Sequence, residues 1–334
     1  TEQLTQEKEN IPEELEFGIN LAHKISEAVK PVYGVKEKDV PVHQVSHDYN
    51  YAVDRLAEDM IKNEFQKMWE KGFNWGYVTE DQGLILPPNG KAEKIYMIDP
   101  VDGSRPAQIG AENATVTMVI VKGDSKSPTF ADIESGITHA IKEDKTYVCE
   151  KGKGVWEISN GKRKKVEQRK NVSANLKDAS IVYETYSMSP TFTGIVIEPL
   201  VKEISFKTEF PSGSYSALTL VRGQNDIHVD LRKRLTKDYP NLPVALKPNS
   251  KSVFPMDVAA GWLMIRELGG LVTDTKGDSL DNIALWEFNT DGSWSSNNEI
   301  SWVAAVNSAL HQKTLSLVEE GFKDLNSRIT SSKI

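Results

Sequence analysis

Two aspartates stand three residues apart at the end of an apolar run, in the segment YMIDPVDGSRP at residues 96–106. The apolar run predicts a buried strand, and since Pro100 has no N–H to donate to a sheet, we expect the strand to end at Asp99. Asp99 and Asp102 would then share a turn, where paired carboxylates suit a Mg²⁺ ion. An Asx turn at a strand end is the alternative without a metal, and the pair alone leaves both open.

The residues after the second aspartate point to an anion site beside these carboxylates. Gly103 supplies backbone freedom, and Ser104 opens a short helical turn whose free N–H groups would attract an anion. Carboxylates repel an anion unless a divalent cation lies between them. The two features together therefore favour a cation that bridges acidic side chains and a phosphate group.

Further acidic side chains occur where other predicted elements begin or end. Glu80 and Asp81 follow an apolar segment in GYVTEDQG, and Asp257 opens the long helix predicted for MDVAAGWLMIRELGG. Asp257 by itself is typical of an ordinary helix N-cap. The combination of these acids with Asp99 and Asp102 is more specific than any one of them.

The elements that must position these residues fall into two unlike parts. Helical periodicity covers residues 12–30 and 51–71, and the short apolar segments that follow, ASIVYET among them, predict a mainly antiparallel sheet. From Ser212 onward helices and strands alternate. We expect an α+β half at residues 1–185 and an α/β half at residues 186–334 that together form one compact unit.

Composition narrows the classes of partner. The chain has 48 acidic and 40 basic residues, a net charge of −8, and no basic block long enough to follow a nucleic-acid backbone. No apolar run is long enough to cross a membrane, and the acidic N-terminal segment is unlike a secretory signal, so we expect a cytoplasmic protein. Cys149 is the only cysteine, which excludes an internal disulfide, and we expect it in a buried strand. His43 and His47 could bind a metal, but solvated or structural histidines are the more typical interpretation.

The order of the acidic segments resembles that of the inositol monophosphatase and fructose-1,6-bisphosphatase superfamily of Mg²⁺-dependent phosphatases. The resemblance rests on DPVDGS at residues 99–104, on TED at residues 79–81 and on MDVAAGWLMIRELGG around Asp257, and it covers most of the chain. It implies a layered α-β-α-β-α sandwich of the carbohydrate phosphatase type, a phosphorylated small-molecule substrate and a homodimer.

The resemblance also implies a metal-binding set. Two catalytic Mg²⁺ ions would be held by Glu80, Asp99, Asp102, Asp257 and the backbone carbonyl of Val101. The implied reaction is direct, in-line hydrolysis of a phosphomonoester by an activated water, with inhibition by Li⁺.

Other roles carry over from the same resemblance. Asp54 would either support the metal ligands without binding the two catalytic ions itself, or bind a third metal. The alternative is that Asp54 is a solvated charge on the surface of a helix. Gly103 and Ser104 would bind phosphate through their N–H groups. The Ser104 hydroxyl, together with Glu80, would orient the attacking water, and these two residues with Asp102 form the expected catalytic group.

Departures from the family pattern concern the substrate. Arg105 stands where relatives acting on inositol phosphate continue as T-x-N-F, and it could hold a second phosphate or pair with an acid. Ser214 in PSGSYSAL, with an uncertain register, and Asp230 are the expected contacts of the sugar ring. The basic insertion at residues 231–252 is expected to be a surface loop. It could be a lid over a more highly charged substrate, a solvated loop or a subunit contact.

Three functions are therefore compatible with the sequence. A Mg²⁺-dependent sugar or inositol phosphatase is favoured. A bisphosphatase, acting on fructose 1,6-bisphosphate or on a 3′-phosphoadenosine-type nucleotide, is the alternative within the class. A catalytically silent relative that binds metal and a phosphorylated ligand is the alternative of another class, and the intact carboxylate set argues against it.

Overall fold

The protein is described by a computed structural model that covers residues 11–35, 43–45, 48–50, 52–124, 127–246 and 252–331. Its helices are α1 (Glu13–Val29), α2 (Ala52–Glu70), α3 (Ser104–Gln108), α4 (Pro190–Glu203), α5 (Gly213–Val221), α6 (Arg232–Asp238), α7 (Pro255–Glu267) and α8 (Ser308–Thr330). Its strands are β1 (His43–Val45), β2 (Asp48–Asn50), β3 (Trp75–Thr79), β4 (Gly83–Ile85), β5 (Lys94–Asp102), β6 (Thr115–Lys122), β7 (Ile133–Ala140), β8 (Lys145–Glu150), β9 (Gly154–Ser159), β10 (Lys162–Val166), β11 (Ser180–Glu184), β12 (Phe206–Thr208), β13 (Ile227–Asp230), β14 (Leu271–Thr273) and β15 (Trp302–Ala305).

The first large sheet has eight strands in the order β10-β9-β8-β7-β6-β5-β3-β4. Only its β3–β5 pair is parallel, so the mainly antiparallel sheet predicted after the second helix is confirmed. Cys149 lies fully buried in β8, as predicted. The two predicted N-terminal helices are α1 and α2.

The second large sheet has five strands in the order β12-β11-β13-β15-β14. The segment ASIVYET, which the sequence assigned to the antiparallel sheet, forms β11 here and pairs in parallel with β12 and β13. That assignment was wrong because an apolar run identifies a strand but not its partner edge, which the connections through α4 and α5 decide.

The strands and helices stack as α-β-α-β-α, which confirms the predicted sandwich. On the eight-stranded sheet, α1 and α2 cover one face, and α5 and α7 cover the other. The five-stranded sheet lies on the far side of α5 and α7, and α4 and α8 cover its outer face. Among the described residues, no helix is both long enough and apolar enough to span a lipid bilayer.

Strand β5 continues through Pro100 and ends at Asp102, so the prediction that it ends at Asp99 was wrong. Asp99 lies opposite Thr117 of β6 and Asp102 lies opposite Thr115, which leaves one extra residue in β5 between the two pairs. This bulge accommodates a proline that cannot donate a ladder hydrogen bond. The two aspartates therefore stand on a bulged strand end rather than in a turn beyond it.

The basic insertion does not begin as a surface loop. Residues Arg232–Asp238 form α6, in which Arg232 is 1% and Arg234 8% exposed. These cations are buried because each pairs with acids: Arg232 with Asp230 and Glu184, and Arg234 with side chains that include Glu319, at 2.6 Å. The predicted loop was wrong for this part, and residues 247–251 lie outside the described residues.

Helices α4 and α8 pack so closely that one glycine has no room for a side chain. A Cβ atom at Gly321 of α8 would lie 2.0 Å from the carbonyl oxygen of Val196 in α4. Gly194 of α4 is exposed and a Cβ there would meet nothing within 4 Å. The two glycines therefore form a matched pair, one required by packing and one not.

We expect Gly321→Ala to lower the free energy of unfolding by roughly 1–3 kcal/mol, because the helices must separate. Gly194→Ala should raise it by about 0.5–1 kcal/mol through helix propensity. Urea unfolding followed by circular dichroism measures both. Changes of the same sign would contradict the close approach of α4 and α8.

Candidate active site

Three carboxylates meet where β5 ends and α7 begins. Asp99 and Asp102 come from β5 and Asp257 from the first turn of α7, and each offers an oxygen within 4.8 Å of the others. Side chains alternate along a strand, so Asp99 faces the same side of the sheet as Ile95 and Met97, which is the side that α7 covers. The cluster is therefore produced by packing between sheet and helix.

Local backbone contacts hold two of these carboxylates. Asp99 Oδ1 accepts a hydrogen bond from the Val101 N–H at 3.0 Å, and Asp257 Oδ2 accepts one from the Phe254 N–H at 2.8 Å. The Asx turn that the sequence offered as an alternative to a metal site is present at Asp99, whereas the prediction of Asp257 as the N-cap was wrong, because Phe254 is the N-cap and Asp257 is the third residue of the helix, where it accepts from the Phe254 N–H. These two contacts do not exclude the metal site, because they orient the carboxylates toward one another.

The start of α5 holds the third carboxylate. Asp102 Oδ2 accepts hydrogen bonds from the Ser212 hydroxyl at 2.8 Å, from the Ser214 N–H at 2.7 Å and from the Ser214 hydroxyl. Three donors on one oxygen fix the orientation of the Asp102 side chain and leave Oδ1 for the cluster.

A glycine makes the sharp change of direction after Asp102. Gly103 has φ 90° and precedes α3 directly. A Cβ at this position would lie 3.0 Å from the Asn113 carbonyl oxygen and 3.2 Å from Ser212 Cβ. Both the backbone conformation and the lack of space therefore require glycine.

The structure brings Ser104 and Asp54 together. The Ser104 hydroxyl lies 2.8 Å from Asp54 Oδ1 and 2.9 Å from the Val101 carbonyl oxygen. Asp54 lies in the first turn of α2. This helix therefore reaches the site through a direct contact with the DPVDGS segment.

Glu80 follows β3 directly and is exposed. Its backbone carbonyl accepts a hydrogen bond from Trp294 Nε1 at 2.9 Å, which anchors the turn. Burial is the main reason why the pKa values of Asp99 and Asp257 are raised, and the negative charge of Glu80 adds to both shifts. The negative charge of Glu80 therefore disfavours the ionised forms of Asp99 and Asp257.

The raised pKa values of the three clustered carboxylates indicate that a bound positive charge would stabilise their ionised forms. Burial and then mutual repulsion hold the pKa of Asp99 and of Asp257 well above the usual range. Burial also raises the pKa of Asp102 to about 6, against the opposing hydrogen bonds from Ser214 and Ser212. None of the three carboxylates forms a salt bridge with a Lys, Arg or His side chain of the described residues. Clustered carboxylate oxygens of this kind fit a hard divalent cation such as Mg²⁺.

Ser214 does not face a substrate as the sequence predicted. It is 2% exposed, and its hydroxyl contacts Asp102 Oδ2 and Thr115 Oγ1. We therefore reassign Ser214 from sugar binding to positioning Asp102. Sequence reasoning missed Ser212, although its place before the α5 helix is a recognisable N-cap signal, and its side chain accepts from the Tyr215 N–H.

Asp230 is likewise engaged inside the protein. It is fully buried and pairs with Arg232 at 2.6 Å, and Arg232 also pairs with Glu184 at 2.9 Å. Burial is the main cause of the raised pKa of Asp102, and Glu184 adds a further increase, so this network lies beside the cluster. The sequence did not single out Glu184, although its position at the end of an apolar strand run is the same signal that identified Glu80.

Arg105, the basic insertion and the two loop histidines are the remaining features predicted from the sequence. Arg105 is an exposed residue of α3, directly after Ser104. Lys233 contacts Glu299 at 3.5 Å, so neither it nor the paired Arg234 is a free cation for a lid. His47 lies outside the described residues, and the metal site at His43 and His47 stays a prediction.

The fold and the acidic site together define a class, the metal-dependent phosphatases built as an α-β-α-β-α sandwich. The family described as the inositol monophosphatase family matches residues 11–321, and the chain belongs to this family.

Individual relatives differ in what their names say they act on. The chain is 24% identical over 263 residues to a fructose-1,6-bisphosphatase/inositol-1-monophosphatase of Thermotoga maritima, covering 79% of this chain and 85% of the relative. It is also 24% identical over 278 residues to a bifunctional NADP phosphatase/NAD kinase of Methanococcus maripaludis, covering 80% of this chain but only 44% of that protein. A solved Thermotoga maritima IMPase superposes with a TM-score of 0.65 at 21% identity, over 93% of this chain and 98% of that one, and this likeness shows the fold.

Without metal, we expect stability to fall as the pH rises. An acid with a raised pKa in the folded state binds its proton more tightly there than in the unfolded chain, so the free energy of unfolding decreases between the two pKa values. For Asp102 that interval runs from 3.8 to about 6. A divalent cation would replace the protons, so Mg²⁺ should raise the melting temperature more at pH 8 than at pH 5. An equal Mg²⁺ effect at both pH values in differential scanning fluorimetry would contradict this.

Removing one charge from the cluster should stabilise the metal-free protein. We expect Asp99→Asn to raise the metal-free free energy of unfolding at pH 8 by on the order of 1–4 kcal/mol, the repulsion between unit charges about 4 Å apart near a protein surface. The same variant should lose most of the stabilisation by Mg²⁺. Asp324→Asn is the control, since Asp324 pairs with Arg328 on α8 and lies outside the cluster. A destabilised Asp99→Asn protein that still responds fully to Mg²⁺ would contradict the cation site.

Proposed function

We propose that the protein is a Mg²⁺-dependent phosphomonoesterase that hydrolyses a sugar or inositol phosphate, with water as the nucleophile. The observation that carries this proposal is the cluster of Asp99, which is buried, with Asp102 and Asp257, which are half-buried, in which like charges are held together by the fold. Membership of a phosphatase family supports hydrolysis of a phosphate ester as the reaction at this cluster.

The residues that would hold the cations are those that the structure gathers at this point. Asp99, Asp102 and Asp257 are the first candidates. Glu80, which directly follows β3 and is not one of the three clustered carboxylates, is a further candidate that the resemblance supplies. The Val101 carbonyl oxygen is a further candidate, and the Ser104 hydroxyl contacts it at 2.9 Å. When bound, two divalent ions would neutralise charge on the phosphoryl group and promote ionisation of the attacking water.

The chain's own residues would orient the reactants. The N–H groups of Gly103 and Ser104, at the start of α3, would bind phosphate oxygens. The Ser104 hydroxyl would hold the attacking water together with the Glu80 carboxylate. Asp54 accepts from that hydroxyl and so sets its orientation, whether or not a third metal binds nearby.

A bisphosphate is the second candidate substrate. Arg105 is exposed one residue after Ser104, on the helix that would cradle the phosphate. A guanidinium there could bind a second phosphate group. The name of the Thermotoga maritima relative, which includes both activities, is consistent with either substrate.

A cytoplasmic location and a homodimer also remain predictions.

Phosphate release with and without Mg²⁺ tests the proposal. The panel contains inositol 1-phosphate, fructose 1,6-bisphosphate, 3′-phosphoadenosine 5′-phosphate and NADP. We expect Mg²⁺-dependent turnover of at least one compound, inhibited by millimolar Li⁺ if the second ion binds as the resemblance implies. Full Mg²⁺ binding by calorimetry without turnover of any compound would favour the catalytically silent alternative.

Variants separate the metal site from the rest of the protein. Asp257→Asn should reduce phosphate release by at least roughly 100-fold, because a charged ligand is lost where charge develops in the transition state. Asp324→Asn on α8 should leave the rate unchanged. An Asp257→Asn protein that is folded and as active as the wild type would show that the cluster is not the catalytic centre.

A further inference from the structure

A second group of metal-binding side chains lies away from the carboxylate cluster. His23 belongs to α1, His139 to the end of β7, and Asp144 to the turn between β7 and β8. Each offers one ligand atom within 4.8 Å of the other two. None of these residues belongs to the site proposed for phosphate hydrolysis.

The distances in this group are close to those of a metal centre. Asp144 Oδ1 lies 3.5 Å from His23 Nδ1 and 3.8 Å from His139 Nε2. Ligands bound tetrahedrally at about 2.0–2.2 Å from a metal lie roughly 3.4 Å apart. The two distances from Asp144 are within a few tenths of an ångström of this spacing, and the two imidazole nitrogens lie within 4.8 Å of each other.

An unpartnered buried nitrogen points into the group. His139 is 1% exposed, yet its Nε2 atom has no hydrogen-bond partner among the described residues. A buried polar atom without a partner is costly, and a role of this nitrogen as a metal ligand explains it. The other ring nitrogen, Nδ1, lies 2.9 Å from Thr146 Oγ1. With Nδ1 donating to Thr146, the lone pair is on Nε2 and faces Asp144, as in histidines that bind metals.

The solvent-facing side of the group is open, and the ammonium group of Lys30 that lies there could be displaced by a metal ion. The side chains of His23 and Asp144 are 55% and 52% exposed, so an ion can enter from solvent. Lys30 lies 3.4 Å from Asp144 Oδ1 and also 2.5 Å from Glu27 Oε1. If a metal displaced Lys30 from Asp144, the ammonium would keep its shorter contact with Glu27.

We propose that His23, His139 and Asp144 form a second metal site, specific for a divalent transition-metal ion such as Zn²⁺. Two imidazoles and one carboxylate suit Zn²⁺ and Co²⁺, whereas Mg²⁺ prefers a set of oxygen ligands. Water would complete the coordination on the exposed side. The ion would tie α1 to the turn between β7 and β8 and would stabilise this end of the eight-stranded sheet.

The test measures metal uptake rather than hydrolysis, so it does not depend on the proposed function. Protein carrying Asp257→Asn, with Mg²⁺ in excess, is titrated with Co²⁺, and the visible d–d absorption is recorded together with the stoichiometry by equilibrium dialysis. We expect one Co²⁺ per chain with the absorption of a nitrogen-ligated, four- or five-coordinate ion. Adding His23→Ala or Asp144→Asn should each raise the Kd at least roughly ten-fold.

Matched variants keep the outcome interpretable. Glu13→Gln removes an exposed charge of the same helix, ten residues before His23, but no ligand, and should change the Kd by less than about three-fold. His23 and Asp144 are half-exposed, and asparagine tolerates the positive φ of 52° at position 144, so both substitutions should leave the protein folded. His139→Gln tests the buried ligand if it folds. Equal Co²⁺ stoichiometry, spectrum and affinity in the parent protein and in the His23 and Asp144 variants would overturn the proposal.

Discussion

Repulsion among three carboxylates, one buried and two half-buried, governs the chemistry and the stability of the active site. Asp99, Asp102 and Asp257 gain nothing from one another, and burial makes each charge more costly. The protein brings them together only because α7 packs on β5 over a large apolar surface. A divalent cation would convert this unfavourable arrangement into a favourable one, so the stability of the fold and the chemistry of the site are linked through the same three side chains.

Helices α5 and α7, which form the middle helical layer, connect the stability of the fold with the chemistry of the site. Helix α5 begins with Ser212 and Ser214, whose donors hold Asp102, and Gly213 between them would place a Cβ atom 3.4 Å from Asp257 Cβ and 2.8 Å from Val253. The start of α5 thus contacts one carboxylate and packs against another. Small residues at this point allow two helices and a strand end to converge, and a larger side chain would separate the ligands.

The two candidate cation sites differ in chemistry in a way that suits different ions. The site at the end of β5 offers only oxygen and contains carboxylates that need neutralising, which favours Mg²⁺. The group at His23, His139 and Asp144 offers two imidazole nitrogens and a single carboxylate, which favours a softer metal. Ser214, Asp230 and the first part of the basic insertion are engaged inside the protein. Recognition of the proposed substrate would therefore depend on other groups, and Arg105 is an exposed candidate next to the proposed phosphate site.

The sequence alone predicts most helices and strands, the acids of the cluster and the family, because strand and helix periodicity and the DPVDGS spacing are local properties of the chain; helix α6, predicted as part of a surface loop, is an exception. It did not determine which sheet β11 joins, that β5 continues through Pro100, or that Ser214 and Asp230 face inward rather than toward a substrate. Nor did it connect His23 with His139 and Asp144, which lie on separate elements. These points follow from the three-dimensional packing, because strand partners, burial and the meeting of distant side chains depend on how layers pack, and packing energy is shared among residues far apart in the chain.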